Sequence, residues 1–128
     1  MIAPCSLPLF PLYENFQALD AETGVAGLGS DLDALLKKGI RGLIIDLRDN
    51  PGGSYEQVVQ IADRMIGEGV IVYTEDRAGK KDVKMSEKAG FDMPLVILIN
   101  GNSASASEIL AGAVKDNKAG VLVGTKTF

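Results

Sequence analysis

Four short, nearly unbroken apolar runs constrain this chain more than any other feature. They are Gly42–Leu47, Val70–Thr74, Leu95–Ile99 and the run that begins at Val121 and reaches Gly124. Each has the length of a strand and is rich in Val, Ile and Leu, the pattern of a strand covered on both faces. Helical signals fall between the runs. Leu32, Leu35 and Leu36 mark one face of a short helix, opened by Ser30 and Asp33 and closed by Lys37, Lys38 and Gly39. Ser54 and Gln57 form the pattern of a capping box, and Val58, Ile61, Ala62 and Met65 give the helix after it a buried stripe. Residues 104–114 carry Ile109, Leu110 and Ala113 at helical spacing, and Asp116–Gly120 ends that helix. Arg77–Lys81 reads as the exposed tip of a hairpin, with Val83 and Met85 on a weaker returning strand. Strands alternating with helices, interrupted by one hairpin, predict an α/β fold with a mainly parallel sheet.

Residues 1–27 do not share this pattern. Three of the five prolines, Pro4, Pro8 and Pro11, lie between Met1 and Tyr13, which disfavours a helix or a central strand there. The stretch is apolar but has no positive start, so it makes a poor signal peptide. It reads as an extended or disordered leader, or as an arm that packs on a neighbouring chain. No apolar run approaches the length of a membrane span. The lone cysteine, Cys5, allows neither an internal disulfide nor a cysteine metal cluster. The chain has no histidine, which excludes Ser-His-Asp and Cys-His catalysis and His-ligated zinc within it. Acid–base chemistry here falls to carboxylates, lysine, tyrosine or backbone groups, and no cofactor or metal is expected. The net charge of −4 argues against a nucleic-acid partner.

Two strand-to-helix turns could carry chemistry. Asn50-Pro51-Gly52-Gly53 follows a buried strand and precedes a helix N-terminus, where free N–H groups and the helix dipole favour negative charge. It suits an oxyanion hole, a phosphate cradle or a plain tight turn, but not a Walker A loop, whose Gly-Lys-Ser/Thr ending is missing. Ser103-Ala104-Ser105-Ala106-Ser107-Glu108 lies at the start of the next helix. One of its serines could be a nucleophile activated by a lysine, or a helix cap with small packing neighbours.

Residues 42–53 (GLIIDLRDNPGG), 100–109 (NGNSASASEI) and 123–128 (VGTKTF) together resemble the core of the C-terminal processing peptidases, or tail-specific proteases. The resemblance spans residues 28–128, with the motifs in the family's order. It implies an incomplete core of crotonase-like α/β fold in a serine endopeptidase that cleaves proteins near a free, apolar C-terminus with a serine–lysine dyad. It places the nucleophile at Ser105, the oxyanion donors at the backbone N–H groups of Gly53 and Ala106, and supporting roles at Glu108 and Asp116. Ser103 and Ser107 become flanking residues, with Ser103 the better candidate for the helix cap. The family's base is the lysine of Thr-Phe-Gly-Lys. Thr127-Phe128 supplies the first half of that motif, Lys126 does not match the base by position, and no stretch resembles the family's PDZ domain. The expectation is therefore a core segment that is nearly inactive alone. Family members usually act outside the cytoplasm, in periplasm, cell envelope or lumen, on protein C-termini. Competing readings are a non-catalytic module that binds an apolar ligand or peptide, an acyl-thioester enzyme of the crotonase group, and a nucleotide-binding α/β domain. A cut-short final strand and an apolar leader also suggest a homo-oligomer.

Overall fold

The computed structural model describes residues 13–15 and 32–128. Ser30 and the proline-bearing stretch before Tyr13 lie outside them. The elements in chain order are β1 (Tyr13–Asn15), α1 (32–37), β2 (Leu43–Asp46), α2 (Tyr55–Met65), β3 (Gly69–Glu75), β4 (Lys81–Ser86), β5 (Leu95–Ile99), α3 (Ala106–Asp116) and β6 (Val121–Gly124).

Strands β1, β2, β5 and β6 form one sheet in that spatial order, and each neighbouring pair is parallel. Asp46 stands beside Leu98, and Ile99 beside Gly124. Parallel strands in register end at the same edge, so the chain leaves β2, β5 and β6 on the same side. The Asn50–Gly53 turn, the serine loop and the 125–128 segment all follow from that edge. The sheet's inner strands carry the apolar runs: Leu43, Ile45, Leu95 and Ile97 are buried. Val58, Ile61, Ala62 and Met65 of α2, and Leu110, Ala111, Ala113 and Val114 of α3, complete the core. The α/β class and the mainly parallel sheet are as the sequence predicts.

The structure departs from the expectations in several places. The 70–74 run does not join the parallel sheet. β3 and β4 form a separate antiparallel pair that packs against α2 and α3. Only Ile71 of β3 is buried. The other face presents Val70 opposite Met85 and Tyr73 opposite Val83, all exposed. The tip falls where expected, with Asp76 Oδ1 accepting from the Ala78 and Lys80 N–H groups. Leu36 is exposed although it lies one turn from Leu32 on the same side of the helix, while Leu32 and Leu35 are buried. The capping box at α2 is half-formed. Ser54 Oγ accepts from the Gln57 N–H, but the Gln57 Oε1 that should return the bond is buried without a partner. Tyr13–Asn15, inside the stretch read as an extended or disordered leader, is an edge strand beside β2, an extended form that reading leaves open. No helix among the described residues is long and apolar enough to cross a membrane.

Candidate active site

The two turns singled out by sequence meet above the carboxyl ends of β2 and β5. The contact is built from small and amide-bearing side chains. Ser103 is buried, and its Oγ donates to the Leu47 carbonyl at 2.6 Å while accepting from the Asn100 N–H at 3.0 Å. Ser107 is also buried and donates to the Asn50 carbonyl at 3.1 Å and Oδ1 at 3.0 Å. The Ala104 N–H donates to the same Asn50 carbonyl at 3.1 Å. Asn50 Oδ1 also accepts from the Gly52 N–H at 2.9 Å, which closes the Pro-Gly turn on itself. Ser103 and Ser107 therefore hold the two loops together. Neither caps α3, contrary to the expectation for Ser103, because its hydroxyl is committed across the sheet edge.

The N-cap of α3 is Ser105 itself. Its backbone sits at φ 56° and ψ −119°. That region is costly for a residue with a Cβ, about 1–3 kcal/mol. Among the described residues only Asp49, Ser105 and Lys118 combine a side chain with positive φ. Two of those three lie in the facing turns. A sharp strand-to-helix turn of this kind lifts a serine side chain clear of the sheet, and Ser105 is exposed while Ala106 and Ser107 beside it are buried. The Ala106 N–H opens the helix, where four donors lack intrahelical acceptors.

Gly52 explains how closely the loops approach. A Cβ built there would lie 2.7 Å from the Ala104 carbonyl and 2.8 Å from both the Ala106 nitrogen and Ser105 Cβ. Gly52 also has φ +103°. Only glycine meets both demands. Gly53, the next residue, is exposed at the start of α2. The structure thus brings the Gly52–Gly53 turn against Ser105 and Ala106.

A second network rims the site. The Asp49 carboxylate accepts from the Asn102 amide at 2.7 Å and the Asn100 amide at 3.0 Å, and the Asp49 N–H donates back to Asn100 Oδ1 at 3.0 Å. The Asn102 bond, then the Asn100 bond, holds the Asp49 carboxyl below its ordinary range. Behind it, Arg48 folds onto the buried carboxylate of Asp46 through Nε at 2.9 Å and a second nitrogen at 2.6 Å.

Glu108 lies in the first turn of α3. Its Oε2 accepts from the Ser105 N–H at 3.0 Å, and its Oε1 accepts from Thr127 Oγ at 2.8 Å. The Phe128 N–H donates to the Ser103 carbonyl at 3.1 Å, so the segment after β6 runs back over the serine loop. Asp116 is different. It is exposed at the last residue of α3, about 15 Å from the helix start, so the structure does not bring it to the turns. Lys126 is exposed. Among the described residues, no group of three or more His, Cys, Asp or Glu could hold a metal ion.

Sequence reasoning did not find Asp49, Asn100, Asn102 or Thr127. The asparagines had a signal: two of them flank Gly101 directly before the serines. Their partners lie more than fifty residues away, which local pattern does not reveal.

Residues 13–128 match the model of a family described as Peptidase family S41. The carboxyl-terminal-processing protease of Synechocystis is 47% identical over 98 residues, which are 76% of this chain and 23% of that protein. The carboxy-terminal processing protease CtpA of Bacillus subtilis is 39% identical over 110 residues, 84% of this chain and 24% of that one. The solved photosystem II D1 C-terminal processing protease superposes with a TM-score of 0.82 at 35% identity, over 91% of this chain and 30% of its own. The chain thus spans about a quarter of the length of these curated relatives. The family match starts at Tyr13, the first residue of β1 and well before residue 28.

Proposed function

Because the chain belongs to peptidase family S41, we propose that it is the catalytic core of a serine endopeptidase that cleaves proteins near an apolar C-terminus, with Ser105 as its nucleophile. The observation that carries this reading is the backbone of Ser105. A non-glycine residue is held at φ 56° and ψ −119°, exposed at a helix start and against a Pro-Gly-Gly turn. Strain of this kind is retained where it aims a reacting group.

The chemistry follows from the parts. Ser105 Oγ attacks the scissile carbonyl, and its proton passes to a neutral lysine. A free lysine, with a pKa of about 10.4, is a poor base at neutral pH. Burial in an apolar pocket disfavours its charged form and can lower that value by about 3 units. The carbonyl oxygen becomes an oxyanion, which the Gly53 and Ala106 N–H groups hold, each worth roughly 3 kcal/mol of barrier. The lysine returns the proton to the leaving amine, and water then hydrolyses the acyl-enzyme. Glu108 orients the serine turn, and Asp116, at the far end of α3, takes no part in the chemistry. In this reading the base is the lysine that closes the family's Thr-Phe-Gly-Lys, of which Thr127-Phe128 match the first half. The bond from the Phe128 N–H to the Ser103 carbonyl holds those two residues beside the nucleophile loop. The site of action would be outside the cytoplasm.

A fluorophosphonate probe tests this. The polypeptide of residues 1–128 should label at Ser105 slowly or not at all. The same polypeptide extended through the Gly-Lys of the motif should label quickly, and Ser105→Ala should abolish it. Fast labelling of the unextended polypeptide would assign the base to another group, such as Lys126. No labelling of either would favour a peptide-binding module on the same fold.

A further inference from the structure

Glu108 spends both carboxylate oxygens, and only one of them does the work of a helix cap. A glutamate at the third position of a helix commonly accepts from the N-cap N–H, and Oε2 does this for Ser105. Capping leaves Oε1 free to face water. Here Oε1 takes the hydroxyl of Thr127, nineteen residues away and beyond β6. The segment that carries Thr127 is fixed elsewhere too, by the Thr125 N–H on the Ile99 carbonyl at 3.2 Å and the Phe128 N–H on the Ser103 carbonyl at 3.1 Å. The bonds at Ser103 and Glu108 bracket Ser105 from both sides.

We propose that Glu108 is a positioning residue that locks the Ser105 elbow to the 125–128 segment through Thr127, so that nucleophile and general base share one frame. This rests on the serine–lysine reading above. The Ser105 N–H and the Thr127 hydroxyl are tied to one rigid carboxylate, with charge-assisted bonds on both sides. A shift of the 125–128 segment then moves the strained turn with it, and the reverse also holds. The proton transfer needs heavy-atom separations near 3 Å, and a misplacement of about 1 Å can cost roughly a hundredfold in rate.

Thr127→Val removes the hydroxyl and keeps the shape, while Thr127→Ser keeps the hydroxyl. Glu108→Ala removes both acceptor oxygens, so both links break. The Ser105 amide is followed by ¹⁵N NMR in the 128-residue chain, and fluorophosphonate labelling in the extended one. An amide that donates to a carboxylate resonates downfield. Thr127→Val should shift the Ser105 amide and slow labelling at least tenfold. Glu108→Ala should slow labelling at least as much, and Thr127→Ser should behave as the parent. An ordinary cap predicts otherwise for Thr127→Val, which would leave the Ser105 amide in place, although Glu108→Ala would still move it. An unmoved Ser105 amide in Thr127→Val, or parental labelling by Glu108→Ala, overturns the proposal. If the parent itself never labels, the serine–lysine reading fails, and the amide shifts still decide whether the link exists.

Discussion

Ser105 and Gly52 show how much of this site depends on single backbone conformations. Ser105 holds a positive φ that its side chain disfavours, and Gly52 holds one that only glycine tolerates cheaply. The two are in contact, so neither can relax without moving the other. Gly52→Ala should therefore cost more than backbone strain alone, which is roughly 1–3 kcal/mol. The added methyl would meet the Ala104 carbonyl and the Ala106 nitrogen, both backbone atoms with little room to give. Gly39→Ala is the control. Gly39 also has positive φ, +70°, but a Cβ there meets nothing within 4 Å. Urea unfolding of both variants should show Gly52→Ala as the more destabilised. Equal losses would mean that the loops do not press on each other.

At the level of elements, the site is a joint between two strand ends. β2 and β5 lie side by side, and Asp49 after one strand is bonded to Asn100 and Asn102 after the other. Those bonds are strongest with the Asp49 carboxylate charged. Its folded pKa lies below the ordinary 3.8, chiefly because of Asn102 and then Asn100. A depressed acid stabilises the fold above its unfolded pKa and gives that up as pH falls through the folded one. The joint should hold at neutral pH and loosen in acid below pH 3.8. Carboxyl NMR of Asp49 should show a midpoint below that value, with the Asn102 side-chain amide shifting in step. An Asp49 midpoint at or above 3.8, or an unmoved Asn102 amide, would refute the joint. Asp49→Asn should remove this acid response. The hairpin is the other element-level lesson. The 70–74 run reads as strongly apolar, but one of its faces has no neighbour among the described residues. Apolar runs report that a segment is a strand and not which sheet it joins.

At the scale of the whole molecule, several large apolar side chains are exposed among the described residues. Val70, Tyr73, Val83 and Met85 lie on the outer face of the hairpin, and Val121 and Val123 lie on β6, the edge strand opposite β1. An edge strand offers unpaired backbone groups, and adjoining apolar side chains favour association. We propose that this chain self-associates. Sedimentation velocity over a hundredfold range of concentration should show a rising weight-average coefficient. Val121→Lys with Val123→Lys should return it to a monomer if β6 is the contact, and Val83→Lys with Met85→Lys should do so if the hairpin is. A single monomeric species at every concentration would defeat the idea.

The sequence by itself determined the strands after residue 40, the helices between them, their order and the chemistry available to them. Gly42–Leu47 and Leu95–Ile99 read as buried strands because burial on both faces leaves no polar alternation to misread. The absence of histidine removed whole classes of mechanism. The motifs carried the family resemblance, and the resemblance placed the candidate site at Gly53, Ser105 and Ala106. Only the tertiary structure decided how that site is held together. The parallel register brings the ends of β2, β5 and β6 to one edge, and bonds across it join Asp49 to Asn100, Asn50 to Ser107 and Glu108 to Thr127. The same register turned Ser103 from a helix cap into a tie to Leu47, and left Asp116 at the far end of α3. Periodicity reports the neighbours a residue has along its own element. A hydrogen bond between loops depends on the three-dimensional packing of strands distant in the chain, and no local pattern records it.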